Sequence, residues 1–188
     1  MGEQTRRPRV VWTSLDILFL AAWGGPTGAA ISASSTIQST QLGPNSYEYA
    51  LTLTNTGTTP IATFWYAWIP GYDLLPSAPT TILSPPGWTG VNAPDYYGVG
   101  SAQWVNTANP LQPDQSIAGF KFDTPDSPSQ LAGNSVFGLP VNYSYVYIGA
   151  PQTDPGALLI PTTVTPEPAG VVMLALAGVA ALRRRRHA

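Results

Sequence analysis

The chain has 188 residues, no cysteine, one histidine and a formal net charge of −2. Without thiols it can form neither a disulfide nor a thiolate site, so its fold must rest on apolar burial and hydrogen bonding. The charge is unevenly placed: between Ile31 and Pro166 the one base is Lys121, facing Glu48, Asp73, Asp95, Asp114, Asp123, Asp126 and Asp154, a net of −6, which repels a phosphate backbone and excludes nucleic acid as an expected partner.

Arg6, Arg7 and Arg9 precede the apolar stretches Val10–Trp12 and Ile17–Trp23, and small residues follow at Gly28, Ala29 and Ala30. This is the layout of a secretory signal over residues 1–30, with Asp16 interrupting its apolar segment. Thr27-x-Ala29 or Gly28-x-Ala30 supplies the small residues that a signal peptidase needs, which leaves a body beginning near Ile31. Arg6-Arg7 lacks the context of a twin-arginine signal, so a Sec-type route is the expectation.

Residues 31–164 are enough for one domain with its own core and too few for two. From Ser46 the chain alternates, with Tyr47, Tyr49, Leu51 and Leu53 on one face and Glu48, Ala50, Thr52 and Thr54 on the other, the pattern of a half-buried strand. Asn55-Thr56-Gly57 supplies turn residues tolerant of positive φ, and the run Ile61–Ile69, apolar on both faces, predicts a central strand that Pro70-Gly71 ends. Further strands are expected at Ser34–Leu42, Ser101–Val105, Ser116–Asp123, Asn142–Ile148 and Leu158–Val164, each bounded by Gly, Pro or Asn. Short strands between turn signals, with no long helical period in the body, predict an all-β antiparallel β-sandwich of immunoglobulin-like or jelly-roll order. Two proline-rich intervals, Gly71–Tyr97 and Thr124–Pro140, are expected to be irregular loops held down by Trp88, Tyr96, Tyr97, Leu131, Phe137 and Leu139.

The body offers little reactive chemistry. Its residues include no histidine, since His187 lies beyond the arginine cluster, and imidazole-based general base or zinc chemistry is excluded. No catalytic residue, metal or cofactor is therefore expected. Carboxylate chemistry is what survives: Glu48, Asp73, Asp95 and Asp123 could in principle furnish the two acids of a glycosidase, but their spacing brings no two together. Asp123-Thr124-Pro125-Asp126-Ser127 places two carboxylates three apart, which suits a self-bonded turn better than a calcium loop. Trp65 and Trp68, in the two-faced run, are expected in the core. The loop rings Trp88, Tyr96 and Tyr97 are the candidate carbohydrate contacts, because flat aromatic faces suit sugar rings. Asn142-Tyr143-Ser144 matches a glycosylation sequon amid strand residues and is read as chance.

The tail occupies residues 165–188. Thr165-Pro166-Glu167-Pro168 is followed by the uncharged run Ala169–Leu182 and then by Arg183, Arg184, Arg185 and Arg186. In lipid such a run must satisfy its own backbone as a helix. Its 14 residues give roughly 21 Å, short of the roughly 30 Å hydrocarbon core, so it is a marginal span suited to transient anchoring. Four arginines beside it favour the cytoplasmic side, which puts the body outside the inner membrane.

A Pro-Glu-Pro triplet, one short apolar segment and a terminal arginine cluster, in that order, resemble the PEP-CTERM sorting signal of bacteria that make extracellular polysaccharide. The resemblance implies that Pro166, Glu167 and Pro168 mark the region an exosortase-like enzyme cuts, and that Arg183–Arg186 orient the anchor. It also implies release to the cell surface or matrix and an association with exopolysaccharide or biofilm. Ser84-Pro85-Pro86-Gly87-Trp88 and Leu111–Phe122 resemble a body domain that recurs with such tails and has no assigned chemistry. A non-enzymatic exported protein is the resulting expectation; a carbohydrate-binding module and a carboxylate-based glycosidase are its rivals.

Overall fold

The computed structural model describes residues 30–93, 100–152 and 157–165. The signal segment before Ala30, Asp95, Tyr96, Tyr97, Pro166-Glu167-Pro168, the run Ala169–Leu182 and Arg183–Arg186 lie outside the described residues. Among the described residues no helix is long and apolar enough to cross a membrane.

The body is all-β, as expected. Its strands are β1 (Ala33–Gly43), β2 (Ser46–Asn55), β3 (Thr63–Tyr66), β4 (Trp68–Ile69), β5 (Tyr72–Asp73), β6 (Thr81–Leu83), β7 (Thr89–Asn92), β8 (Ala102–Val105), β9 (Ser116–Thr124), β10 (Tyr143–Tyr147) and β11 (Ala157–Thr165), with one helical turn, α1 (Pro128–Leu131). Nine strands follow one another in the order β6-β9-β2-β1-β11-β10-β3-β8-β7, and β4 with β5 forms a separate hairpin. The ladder folds over at β11. Ala157–Pro161 pair antiparallel with β10, whereas Thr162–Thr165 pair parallel with Ser35–Gln38 of β1. Pro161, which has no N–H to give, stands where the strand leaves one layer for the other. Thr162 fastens the crossing: its buried hydroxyl bonds those of Ser35 and Ser144, one from each layer.

On the opposite side the layers are joined through Trp104, whose indole Nε1–H donates to the carbonyl of Leu83 at 2.9 Å. The approach is so close that a Cβ on Gly90 would lie 2.6 Å from both Ile82 Cγ2 and Ser84 Oγ and 2.7 Å from Trp104 Cδ1, so glycine is required there.

Aromatic rings fill the space between the layers. Phe64 of β3 meets Phe120 of β9 edge-on with centroids 5.3 Å apart, and Tyr66 stacks on Phe122 at 5.4 Å. The alternation read in β2 holds, with Tyr49, Leu51 and Leu53 each at most 1% exposed. In β9 alternation alone would put Ile117 and Lys121 on one face. A bulge at Gly119 (φ 99°), opposite the Leu51–Thr52 step, shifts the register so that Ile117, Phe120 and Phe122 all turn inward.

Three expectations are corrected. The run Ile61–Ile69 is not one strand: Ala67 takes φ 55° between β3 and β4 and turns the chain out of the sheet. Asn55-Thr56-Gly57, read as turn residues tolerant of positive φ, take none, and the strands they connect belong to different layers. The side chain of Asn55 instead ties the crossing, donating to Thr59 O at 2.9 Å and Leu111 O at 3.0 Å and accepting from Gly57 N–H at 3.0 Å. The two intervals taken as irregular hold β5, β6, β7 and α1; strands of two to four residues are too short for a readable period. Leu131, Phe137 and Leu139 do pack on the core, as the loop reading expected.

Candidate functional site

Trp88 follows the turn Ser84–Gly87 and donates its backbone N–H to Pro85 O at 3.1 Å. Its ring is 7% exposed and meets Phe120 edge-on at 5.1 Å. That burial leaves the ring little surface for a sugar, which counts against its reading as a carbohydrate contact. Its companions in that reading, Tyr96 and Tyr97, are outside the described residues. The burial agrees with the reading of Trp88 as an anchor of its loop; the strand that receives it, β9, is distant in the chain and was not legible as its partner.

Trp65 and Trp68 are buried, as expected, but in a cluster of their own on the outer side of the second layer. The αL turn at Ala67 brings Trp68 back over Trp65, with ring planes 5° from parallel and centroids 3.8 Å apart. Tyr145 meets Trp68 edge-on at 5.5 Å, and Tyr147 lies 6.3 Å away. The Trp65 Nε1–H donates to Ser101 Oγ at 2.9 Å, and that hydroxyl donates to Ala93 O at 2.7 Å. Burial, then the neighbouring Tyr145, push the Tyr147 phenol up to about 12 against a lowering backbone hydrogen bond from Gln152. Every ring of the tryptophan pair is spent on a neighbour, so the cluster is a stiffener of β3 and β10 and offers no open stacking face.

The carboxylates separate into two groups. Glu48 and Asp123 are register partners on the outward face of β2 and β9, a juxtaposition that their sequence spacing did not reveal. Glu48 is ion-paired there with Lys121 at 2.9 Å. Asp73 and Asp126 are buried, at 0% and 2% exposure. Asp126 Oδ2 accepts the Ser77 N–H at 2.9 Å and Oδ1 accepts the Ser77 hydroxyl at 2.8 Å. This clamp between segments 49 residues apart replaces the self-bonded turn expected for Asp123–Ser127, although Thr124 Oγ1 does take the Asp126 N–H at 3.3 Å. Asp123 and Asp126 thus point to different sides of the layer. Among the described residues no group of three or more His, Cys, Asp or Glu could hold a metal ion.

Tyr66 lies beside that clamp. Its phenolic oxygen is buried and has no hydrogen-bond partner among the described residues. Burial, then Tyr49 and Asp126, hold its ionisation far above the ordinary phenol value. A neutral phenol and a clamped carboxylate in the interior make a packed polar corner, with the Tyr49 hydroxyl donating to Asp126 O at 2.7 Å. The sequon serine is likewise structural, since Ser144 is fully buried and bonded to Thr162.

No protein-family model and no curated protein matches the chain. Among solved structures, similarity is found to a GH20 exo-β-N-acetylglucosaminidase from Vibrio harveyi in complex with N-acetylglucosamine, with a TM-score of 0.40 and 10% identity. An inactive mutant of that enzyme gives a TM-score of 0.36 and 13% identity. Each match covers 71% of this chain and 18% of the enzyme chain, so this chain spans less than a fifth of their length. Likeness at that level bears on neither activity nor ligand.

Proposed function

We propose that this protein is an exported, non-enzymatic surface or matrix component. Its tail holds it at the inner membrane until an exosortase-like enzyme cuts near Pro166-Glu167-Pro168. The observation that carries the reading is the order of three features at the C-terminus: the Pro-Glu-Pro triplet, 14 residues without charge, and four consecutive arginines. A helix of that length spans a bilayer only with thinning or with snorkelling of the arginine stems, which suits an anchor meant to be removed. The body is in keeping with a passive role, since residues 31–166 contain neither histidine nor cysteine. Association with exopolysaccharide belongs to the same proposal. The burial of Trp88 gives a sugar-binding version of it no support.

Mass spectrometry of material released by the native host tests the processing step. Released protein should end near Pro166–Pro168 and lack Arg183–Arg186. An intact tail on protein outside the cell would overturn the sorting proposal.

A further inference from the structure

We infer that the end of the sandwich from which the tail leaves is a bilayer-facing surface, whose uncharged loop tips rest in the lipid headgroup region while the protein is anchored. This inference rests on the anchoring role proposed for the tail and adds to it an orientation and a contact surface.

The register fixes which loops share that end. β11 runs toward Thr165 parallel to β1, with Thr165 opposite Gln38. The end so defined carries the β1–β2 hairpin, because Gly43 pairs Ser46 just beyond. It also carries the β4–β5 hairpin, which follows Tyr66, the partner of Ser144 near the start of β10. The segment between β9 and β10 lies there as well, since Thr124 pairs Tyr47 at the start of β2.

These loops are apolar at their tips and free of exposed charge. Leu42 is 56% exposed, Tyr72 40% and Val136 74%. Val136 and Phe137 crown a tight turn closed by the Gly138 N–H on Ser135 O, and Phe137 lies edge-on to Tyr72 at 5.1 Å, so the β4–β5 tip and this turn form one patch. Residues 42–47, 69–72, 74–80 and 127–142 contain no Asp, Glu, Lys, Arg or His, and the adjoining Asp73 and Asp126 are buried; the segment between β7 and β8, joined to the same end through the Asn92–Ala102 pair, carries the single acid Asp95. Leucine, valine, phenylalanine and tyrosine without charge are the residues that enter the headgroup boundary.

Reach agrees with charge. Leu42 lies four residues beyond Gln38, about 14 Å farther along the strand direction than Thr165 at about 3.4 Å per residue. From Thr165 to Ala169, where the apolar run begins, is four residue steps, at most about 14 Å in a fully extended chain. A link of at most that length takes the start of the membrane segment no farther out than the hairpin tip, so the body cannot rise clear of the headgroups while the tail is inserted.

The chain has no cysteine, so single cysteines introduced as Leu42→Cys, Val136→Cys, Ala108→Cys and Ala177→Cys can each carry a polarity-sensitive fluorophore. The full chain is reconstituted through its own tail into phosphatidylethanolamine–phosphatidylglycerol vesicles, with and without a headgroup-level lipid quencher. Labels at positions 42 and 136 should sit ~5–10 Å into the headgroup boundary, shifted to the blue and strongly quenched. The label at 108, on the loop between β8 and β9 at the other end, should stay water-exposed. A dry label at 177 with wet labels at 42 and 136 would overturn the contact surface and leave the anchor standing. A wet label at 177 would overturn the anchor and the surface together. Labels at 42 and 136 that shift with protein density but escape the lipid quencher would assign the patch to self-association and also overturn the inference.

Discussion

The two ends of the sandwich are built differently. At the end remote from the tail, connections are cinched by main-chain and amide hydrogen bonds: Asn55 N–H donates to Gln115 O, Thr56 N–H to Ser32 O, Ala62 N–H to Tyr147 O and Asn106 N–H to Ala62 O, all at 2.8–2.9 Å. At the tail-proximal end the β5–β6 and β9–β10 segments turn polar groups inward onto the Asp126–Ser77 clamp, and apolar side chains are left at the tips. One end spends its side chains on holding the layers together. The other keeps a surface, and that division separates residues whose loss unfolds the body from residues whose loss changes only what it touches.

Substitutions at the two ends should differ in size accordingly. Trp88→Ala should be the most costly, ~3–5 kcal/mol by chemical denaturation, because it empties a core site against Phe120. A ring standing in solvent would cost within ~0.5 kcal/mol, and that result would return Trp88 to the list of possible sugar contacts. Asn55→Ala should cost ~2–3 kcal/mol, since the carbonyls of Thr59 and Leu111 and the N–H of Gly57 lose their partner. Val136→Ser should leave stability within ~0.5 kcal/mol, as expected for a tip residue in water. A loss comparable to that of Asn55→Ala would mean that the tail-proximal tips are structural after all.

Alkali probes the interior without mutation. In the unfolded chain phenols ionise near 10.0, whereas native Tyr147 holds its proton to about 12 and native Tyr66 beyond that. The native state therefore binds more protons than the unfolded state above pH 10.0, and stability present in full below that point falls as pH rises toward 12. Ultraviolet titration should show Tyr66 and Tyr147 ionising only in a cooperative unfolding step. Ionisation of Tyr66 and Tyr147 near the ordinary value in the folded protein would contradict their burial.

Much of this architecture is legible in the sequence, residue by residue. The alternation from Tyr47 to Thr54 identified the buried face of β2, and β1, β8, β9, β10 and β11 fall within a residue or two of their expected bounds. Alternation reports faces and not neighbours, so it left hidden the handover of β11 between layers at Pro161–Thr162 and the pairing of Glu48 with Asp123. Ala67 was illegible for another reason: a left-handed alanine has no local signature, because tertiary packing of Trp68 on Trp65 compensates its strain. Trp88 looked like a loop ring, and only the distant strand β9 makes it a core residue. The reading of the tail rests on composition and order alone.

The central claim is that the tail parks the body on the outer side of the inner membrane, and protease protection of intact spheroplasts tests it most directly. In a host without the processing enzyme, added protease should degrade the body and leave a small membrane-embedded fragment ending in Arg183–Arg186. Full-length protein recovered soluble from the cytosol, untouched by the protease, would contradict the account.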